Sequence, residues 1–147
     1  MRIKRHVLVV FATASFLLAG AQTALAAGLS RTEASVLKAV NRARADNHLA
    51  PLRFDARLER AARAHSTDMA RHGYFAHGAF AQRMRTFGAR GPVLGENIAA
   101  GFTNPTAVIR AWLGSPEHRA NLLRPGYDRI GIGYAGNAVI TADFGGR

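Results

Sequence analysis

Residues 127–144 read YDRIGIGYAGNAVITADF, and this stretch indicates which class of fold the chain adopts. Apolar and aromatic residues alternate with glycines over 130–134, and a second alternating run covers 139–144. A period of two residues predicts β-strands, and the Gly136-Asn137 pair between the two runs is typical of a tight turn. The stretch therefore predicts an antiparallel hairpin near the end of the chain.

The residues before this hairpin carry helical patterns instead. Ser30 and Glu33 form a capping box, and the apolar stripe that follows predicts a helix over 31–46. Asp55 is an N-cap for a second helix, which we expect to end at about Arg71, because a glycine shortly afterwards offers a left-handed stop.

Further helices are predicted in the middle of the chain. A third, short helix covers about 79–87, and Asn104 followed by Pro105 is the start of a fourth. Ser115 and Pro116 end that helix and begin another turn. The longest predicted loop is 86–95, which contains glycine and proline. Helices first and a hairpin last predict an α+β fold rather than repeated βαβ units.

The first residues have the pattern of a secretory signal peptide. Three basic residues precede an apolar stretch at 7–19, which is too short to span a membrane permanently, and residues 24–26 form an A-x-A cleavage site. We predict a signal peptide at 1–26 and one domain at 27–147. Because the chain contains no cysteine, lipid attachment and disulfides are excluded. We expect a periplasmic or secreted protein with no transmembrane segment in the mature chain.

The predicted mature domain is strongly basic. It carries 17 basic and 9 acidic groups, a net charge of +8 with histidine neutral. Such a charge favours acidic partners, which outside the cytoplasm are anionic lipid, lipopolysaccharide and cell-wall polymer. Solubility explains the charge equally well, so composition alone does not choose among these. Basic runs with interleaved aromatic residues are missing from the sequence, which disfavours a dedicated nucleic-acid module.

Histidine and carboxylate are the residues left for chemistry, because the sequence has no thiol, phosphate loop, nucleophile elbow or H-E-x-x-H motif. Glu96, set among apolar residues, either ligates a cation, acts as a general base, caps a turn or accepts bonds from buried amides.

The histidines are the second kind of candidate. His118 lies at a helix start, where the dipole lowers the pKa of an imidazole; the alternative is simple exposure. His77 lies in a loop, where a bond to nearby backbone is the alternative. His65 and His72 fall on an apolar helix stripe and are interpreted as structural.

Eight short motifs occur in order along the mature chain: N-x-x-R at 41–44, PLRFD at 51–55, LERAARAHSTDM at 58–69, FAH at 75–77, GENIA at 95–99, WLGSPEHRANLL at 112–123, YDRIGIG at 127–133 and DF at 143–144. Together they resemble the CAP superfamily (cysteine-rich secretory proteins, antigen 5, pathogenesis-related proteins), specifically its cysteine-free bacterial SCP-like branch. The resemblance covers nearly the whole mature chain. It implies a three-layer α-β-α sandwich with a small antiparallel sheet.

The resemblance also implies a site. In many members two histidines and two glutamates meet in a cleft and can bind a divalent cation, often zinc. By motif, His77, Glu96 and His118 match three of these positions, whereas Ser115 stands at the fourth. Two imidazoles and one carboxylate suffice for a tetrahedral Zn²⁺ with an open water position. The auxiliary candidates are Ser115, Glu117 and Asn97.

The resemblance identifies a domain better than it identifies a reaction. We favour an exported, non-enzymatic protein whose cleft binds an anionic or amphiphilic envelope ligand, with a divalent cation as a further component. The first alternative is a metal-assisted hydrolase that uses Glu96 or a bound water as base. It ranks second because no nucleophile lies in a recognisable activation motif. The other alternative is a structural or adhesive envelope module. The sequence leaves enzymatic activity and the oligomeric state open.

Overall fold

The computed structural model describes residues 28–102 and 104–147, so the predicted signal peptide lies outside the described residues. The helices and strands follow in the order α1 (Arg31–Asp46), β1 (Arg53–Phe54), α2 (Ala56–His72), α3 (Phe80–Thr86), β2 (Val93–Ala99), α4 (Pro105–Gly114), α5 (Pro116–Leu122), β3 (Tyr127–Ala135) and β4 (Val139–Gly146). A helix long and apolar enough to cross a membrane is not found in this part of the chain.

The four strands form one sheet in the order β1-β3-β4-β2. The predicted hairpin is confirmed, because β3 and β4 pair antiparallel from Tyr127 opposite Gly146 to Ala135 opposite Val139. Its turn takes three residues rather than two, and Asn137 adopts a left-handed conformation with φ 58°. Strand β2 pairs antiparallel with the other side of β4, whereas the two-residue β1 runs parallel to β3.

Helices cover both faces of the sheet, which confirms the α+β class and the α-β-α sandwich. On one face, Val40 of α1, Trp112 of α4 and Leu122 of α5 share a buried core with Phe144 of β4. The other face carries α2, whose Met69 packs on the sheet and whose first turns pack against α3. Side chains of β4 therefore alternate between two buried layers, which explains why every residue of this strand is buried.

The predicted helix ends are confirmed where side chains cap them. The Ser30 hydroxyl accepts a bond from the Glu33 amide at 3.2 Å, and the Glu33 carboxylate accepts one from the Ser30 amide at 2.7 Å. Asp55 caps α2 through two amides of its first turn. At the other end Gly73 takes φ 68°, a conformation that favours glycine, and closes the helix.

The prediction of a loop over 86–95 was wrong at its end, because strand β2 begins at Val93. Gly91 and Pro92 immediately before the strand are typical of a loop, and Gly95 inside it weakens the strand pattern. The structure explains Gly95 by close packing, since an added Cβ would overlap the Tyr127 hydroxyl. The strand is specified by its pairing with β4 rather than by its local sequence.

Candidate functional site

Strand β2 presents Glu96 at an edge of the sheet. Glu96 lies opposite Asp143 of β4. Its neighbour Ile98 packs with Met69 of α2, whereas Asn97 bonds to residues of α5. Because successive side chains of a strand point to opposite faces, Glu96 faces the α2 layer and Asn97 the opposite layer.

The Glu96 carboxylate is buried, and two cationic or polar groups engage its two oxygens. Its Oε1 is bonded to His77 Nδ1 at 2.8 Å, so folding brings two of the candidate residues into contact. Its Oε2 accepts a bond from the Arg83 guanidinium on α3. His65 of α2 lies 3.9 Å from the same oxygen and bonds to the Ala76 carbonyl at 2.9 Å, which pins the loop that carries His77.

His118 is half-buried on α5, beside the edge strand. Burial lowers the pKa of its imidazole, and the charge of His77 lowers this pKa further, so the two imidazoles lie within electrostatic range of each other. This direction is the one that the position at a helix start predicts, and burial is its largest cause. The Asn97 side chain holds this helix, because its Nδ2 donates to the His118 carbonyl at 2.9 Å.

The other auxiliary candidates contribute less to the arrangement. Ser115 is half-buried at the N-cap position of α5, but its side chain makes no capping bond. Glu117 is exposed. Within the described residues, neither side chain bonds to Glu96. Asn97, by contrast, is fully buried and accepts a bond from Asn121 at 3.1 Å.

Asp143 lies beside Glu96 on the neighbouring strand β4. It is fully buried, and neither of its carboxylate oxygens has a hydrogen-bond donor among the described residues. Burial raises the pKa of this carboxyl well above its ordinary value, and the negative charge of Glu96 raises it further. A neutral Asp143 carboxyl can serve as a donor to the Glu96 carboxylate on the neighbouring strand.

A divalent cation does not fit this arrangement of donors. The Glu96 oxygens already bond to His77 and Arg83, and the guanidinium places a positive charge where a metal ion would approach. Among residues 28–102 and 104–147, no group of three or more His, Cys, Asp or Glu side chains is positioned to hold a metal ion. The cation expected at His77, Glu96 and His118 stays a prediction, and the geometry counts against it.

Sequence reasoning missed Arg83 and Asp143 altogether and interpreted His65 as purely structural. Arg83 stands between Gln82 and Met84 on a short helix, where an arginine is ordinarily exposed, yet only 11% of its side chain is accessible. No local sequence pattern predicts its contact with Glu96. Asp143 carried one usable signal, because an acid in an otherwise apolar alternating strand needs a partner.

A groove lies on the other face of the sheet from Glu96. This groove of about 620 Å³ opens between α1 and α4. Its walls include Ala43 and Ile109, which belong to the same buried core as Phe144. Since Phe144 and Asp143 are consecutive residues of one strand, the groove and the Glu96 site lie on opposite faces.

The fold and the polar cluster define the class of protein: a three-layer α-β-α sandwich whose polar site lies at the edge strand. A family model described as the cysteine-rich secretory protein family, or CAP, matches residues 37–142. This chain belongs to that family.

Individual relatives agree with this assignment. The chain is 37% identical over 131 residues to the protein YkwD of Bacillus subtilis, covering 85% of this chain and 51% of that protein. It is also similar to an extracellular SCP-domain protein of Bacillus anthracis, with a TM-score of 0.72, 29% identity and coverage of 76% of this chain and 39% of that chain. The chain thus spans about half the length of the first of these relatives and less than half of the second.

An outer surface protein of Borrelia burgdorferi shares the fold, with a TM-score of 0.70 and 23% identity over 76% of this chain and 90% of that chain. Its likeness therefore concerns nearly its whole length. Both of these solved structures are extracellular or surface proteins by their descriptions.

Proposed function

We propose that this chain is an exported, non-enzymatic CAP-domain protein that binds a single-chain anionic amphiphile of the envelope, a fatty acid, in the groove between α1 and α4. The observation that supports this best is the composition of the groove. Apolar side chains line its base, and exposed cations stand along its rim. An acyl chain with an acidic headgroup matches both parts.

The apolar part of the groove comes from facing helix surfaces. Ala39 and Ala43 of α1 are four residues apart, as are Ile109 and Leu113 of α4, so each pair lies on one side of its helix. The small alanines leave space between the helices that larger side chains would fill. The volume of about 620 Å³ is within the range of pockets that bury small ligands.

The rim provides the charge complementarity. Lys38, Arg42 and Arg110 line the groove and are exposed. Arg42 pairs with Asp46 at 3.3 Å, but in the described part of the chain no ion pair engages Lys38 or Arg110. Two unneutralised cations beside an apolar slot favour a carboxylate headgroup, and this attraction weakens with salt.

Titration of the purified protein with dodecanoate, below its critical micelle concentration, tests the proposal by calorimetry. Ala39→Phe fills the groove and is expected to weaken binding by about tenfold or more, since each methylene kept out of an apolar site costs about 0.8 kcal/mol. Lys38→Glu combined with Arg110→Glu is expected to weaken binding and to reverse its dependence on salt, because added salt then screens a repulsion of the headgroup.

Arg60→Glu is the matched control, because Arg60 is an exposed cation on α2, in the opposite layer. It changes the net charge but should leave binding unaltered. Equal affinity in the wild type and Ala39→Phe would exclude the groove as the binding site. Absence of binding to the wild type would leave the adhesive or structural alternative.

Export rests on residues 1–26 and remains part of the proposal. The mature chain is expected to begin at Ala27, and intact mass measurement of the protein recovered outside the cytoplasm tests this. A start elsewhere would contradict the proposed cleavage site.

The hydrolase alternative retains one observation in its favour, the bond between His77 and Glu96 at 2.8 Å in an accessible part of the site. Turnover assays on peptides, esters and wall fragments test it. A hydrolase of this kind would lose activity in Glu96→Gln while keeping its fold, whereas the binding proposal predicts no turnover with either protein.

A further inference from the structure

The Glu96 site contains its own cation. The Arg83 side chain leaves α3 and reaches the edge strand, where its guanidinium bonds to Glu96 Oε2. The same guanidinium donates to the His77 carbonyl at 3.3 Å, so it contacts both the carboxylate and the loop of the first histidine. These contacts place Arg83 at the centre of the site and not at its border.

Both oxygens of Glu96 are already engaged by side chains of this chain. Oε1 is bonded to His77 Nδ1, the imidazole nitrogen nearest the carboxylate, and Oε2 is bonded to Arg83. A metal ion that used this carboxylate would have to compete with one of these partners for the same oxygen. Asp143 offers no substitute, because it is fully buried on the neighbouring strand β4.

The charges around Glu96 also disfavour a metal ion there. The guanidinium is permanently positive and its side chain is 11% exposed, so solvent screens it poorly. It neutralises Glu96, and a divalent cation bound beside it would face a like charge at close range. His77 and His118 alone provide two imidazole ligands, which is too few for a closed site.

From these contacts we infer that Arg83 is the resident cation of the Glu96 site and that it keeps divalent cations out of it. The site of this chain is then an ion pair between Arg83 and Glu96, with two imidazoles beside it. Arg83 determines metal specificity by occupying the carboxylate. This inference does not depend on whether the groove between α1 and α4 binds a fatty acid.

Zinc alone, titrated calorimetrically into the purified protein at pH 7, tests the inference. The wild type is expected to show no 1:1 site. Arg83→Met removes the charge but retains an apolar stem, and it is expected to bind one Zn²⁺ at least about tenfold more tightly than the wild type. Arg83→Lys keeps a positive charge and should remain without the site.

Two further variants identify the source of any gain. Arg85→Met removes an exposed charge from the same helix and should gain nothing. Adding Glu96→Gln to Arg83→Met should abolish the new site. If Arg83→Met does not give a cooperative thermal transition, Arg83→Gln, which is neutral but polar, takes its place.

Two results would overturn the inference. One is 1:1 zinc binding by the wild type that Glu96→Gln removes, since the resident guanidinium would then not exclude the metal. The other is a folded Arg83→Met or Arg83→Gln that binds zinc no better than the wild type.

Discussion

Arg44 is a buried cation whose partners are backbone carbonyls. It is 1% exposed. Its guanidinium donates to the carbonyls of Ala50, Leu122, Arg124 and Tyr127 at 2.9, 3.0, 3.1 and 3.4 Å. These carbonyls lie after α1, at the end of α5 and at the start of β3, so one side chain ties three segments of the chain together.

Arg44→Lys is therefore expected to destabilise the protein by about 2 kcal/mol or more. A single ammonium lacks the planar fork that reaches four carbonyls, and each buried acceptor left unpaired costs about 1–3 kcal/mol. Urea unfolding measures the change. Arg42→Lys, two residues earlier and exposed, is the control and should stay within about 0.5 kcal/mol of the wild type. A comparably small loss in Arg44→Lys would mean that water satisfies these carbonyls.

Glu33 gives a stability that depends on pH. Burial alone would raise the pKa of this carboxylate, but the bonds from Arg63 and Ser30 outweigh burial and lower the pKa below its usual value. For an acid whose pKa is lower in the folded state, the added stability is present above the unfolded pKa of about 4.5 and is lost as the pH falls through the folded value.

Glu33→Gln should accordingly lower the free energy of unfolding at pH 7 by about 2 kcal/mol, because it removes the buried carboxylate that accepts two bonds from the Arg63 guanidinium and leaves Arg63 only its ion pair with Glu59. Below about pH 4 the difference from the wild type should shrink. Denaturant unfolding at pH 7 and at about pH 3 tests this. Asp46→Asn, at an exposed carboxylate, should show no comparable pH dependence. A difference that stays constant with pH would show that packing, not charge, is lost.

Strand β3 packs against α2 through two glycines. A Cβ on Gly131 would overlap the backbone of Glu59, and one on Gly133 would overlap the backbone of Ala62. The helix therefore approaches the strand more closely than any side chain permits. The alternation of isoleucine with glycine that predicted the strand also provides the surface on which α2 lies.

Gly133→Ala is expected to cost about 3 kcal/mol or more, because the added methyl meets backbone that cannot move without shifting the helix. Gly136→Ala, in the turn, meets nothing within 4 Å and should be nearly neutral. Thermal unfolding of the two variants makes the comparison. Equal midpoints would mean that α2 can shift away from the sheet at little cost.

The helices and the hairpin were predictable because their signals are local. The Ser30 capping box and the Asp55 cap act within a few residues, and the period of β3 is visible in its own sequence. Strand β2 was not predictable, since Pro92 and Gly95 break its pattern and its identity comes from pairing with β4, which lies far along the chain. Local periodicity cannot predict an element whose structure depends on pairing with a distant part of the chain.

At the scale of the whole molecule, only those residues of the candidate site that belong to recognisable sequence motifs were predictable. His77 and Glu96 meet as expected, but the partner that neutralises Glu96 is Arg83, whose position on a short helix gives no sign of its direction. A buried ion pair between two segments depends on how a loop and a helix pack. Neither charge counting nor spacing supplies that information.

The central sheet separates the two candidate sites. The groove between α1 and α4 and the cluster around Glu96 lie on opposite faces of β4, and sheets pack against their covering layers at a spacing of about 10 Å. Substitutions that far apart, with no shared contact, ordinarily add within about 0.5 kcal/mol. The effects of Ala39→Phe and Arg83→Met on the free energy of unfolding should therefore sum in the double variant.

A double-mutant cycle by urea unfolding measures that sum, and it requires no ligand. Arg83→Met with Glu96→Gln is the positive control, because these residues touch and removing one leaves the other without its partner, so their effects should not add. Coupling above about 1 kcal/mol between Ala39→Phe and Arg83→Met would show that the sheet transmits changes from face to face. A protein of this kind would then sense an amphiphile in its groove at the distant ion pair, whereas additivity makes the two faces independent sites on one scaffold.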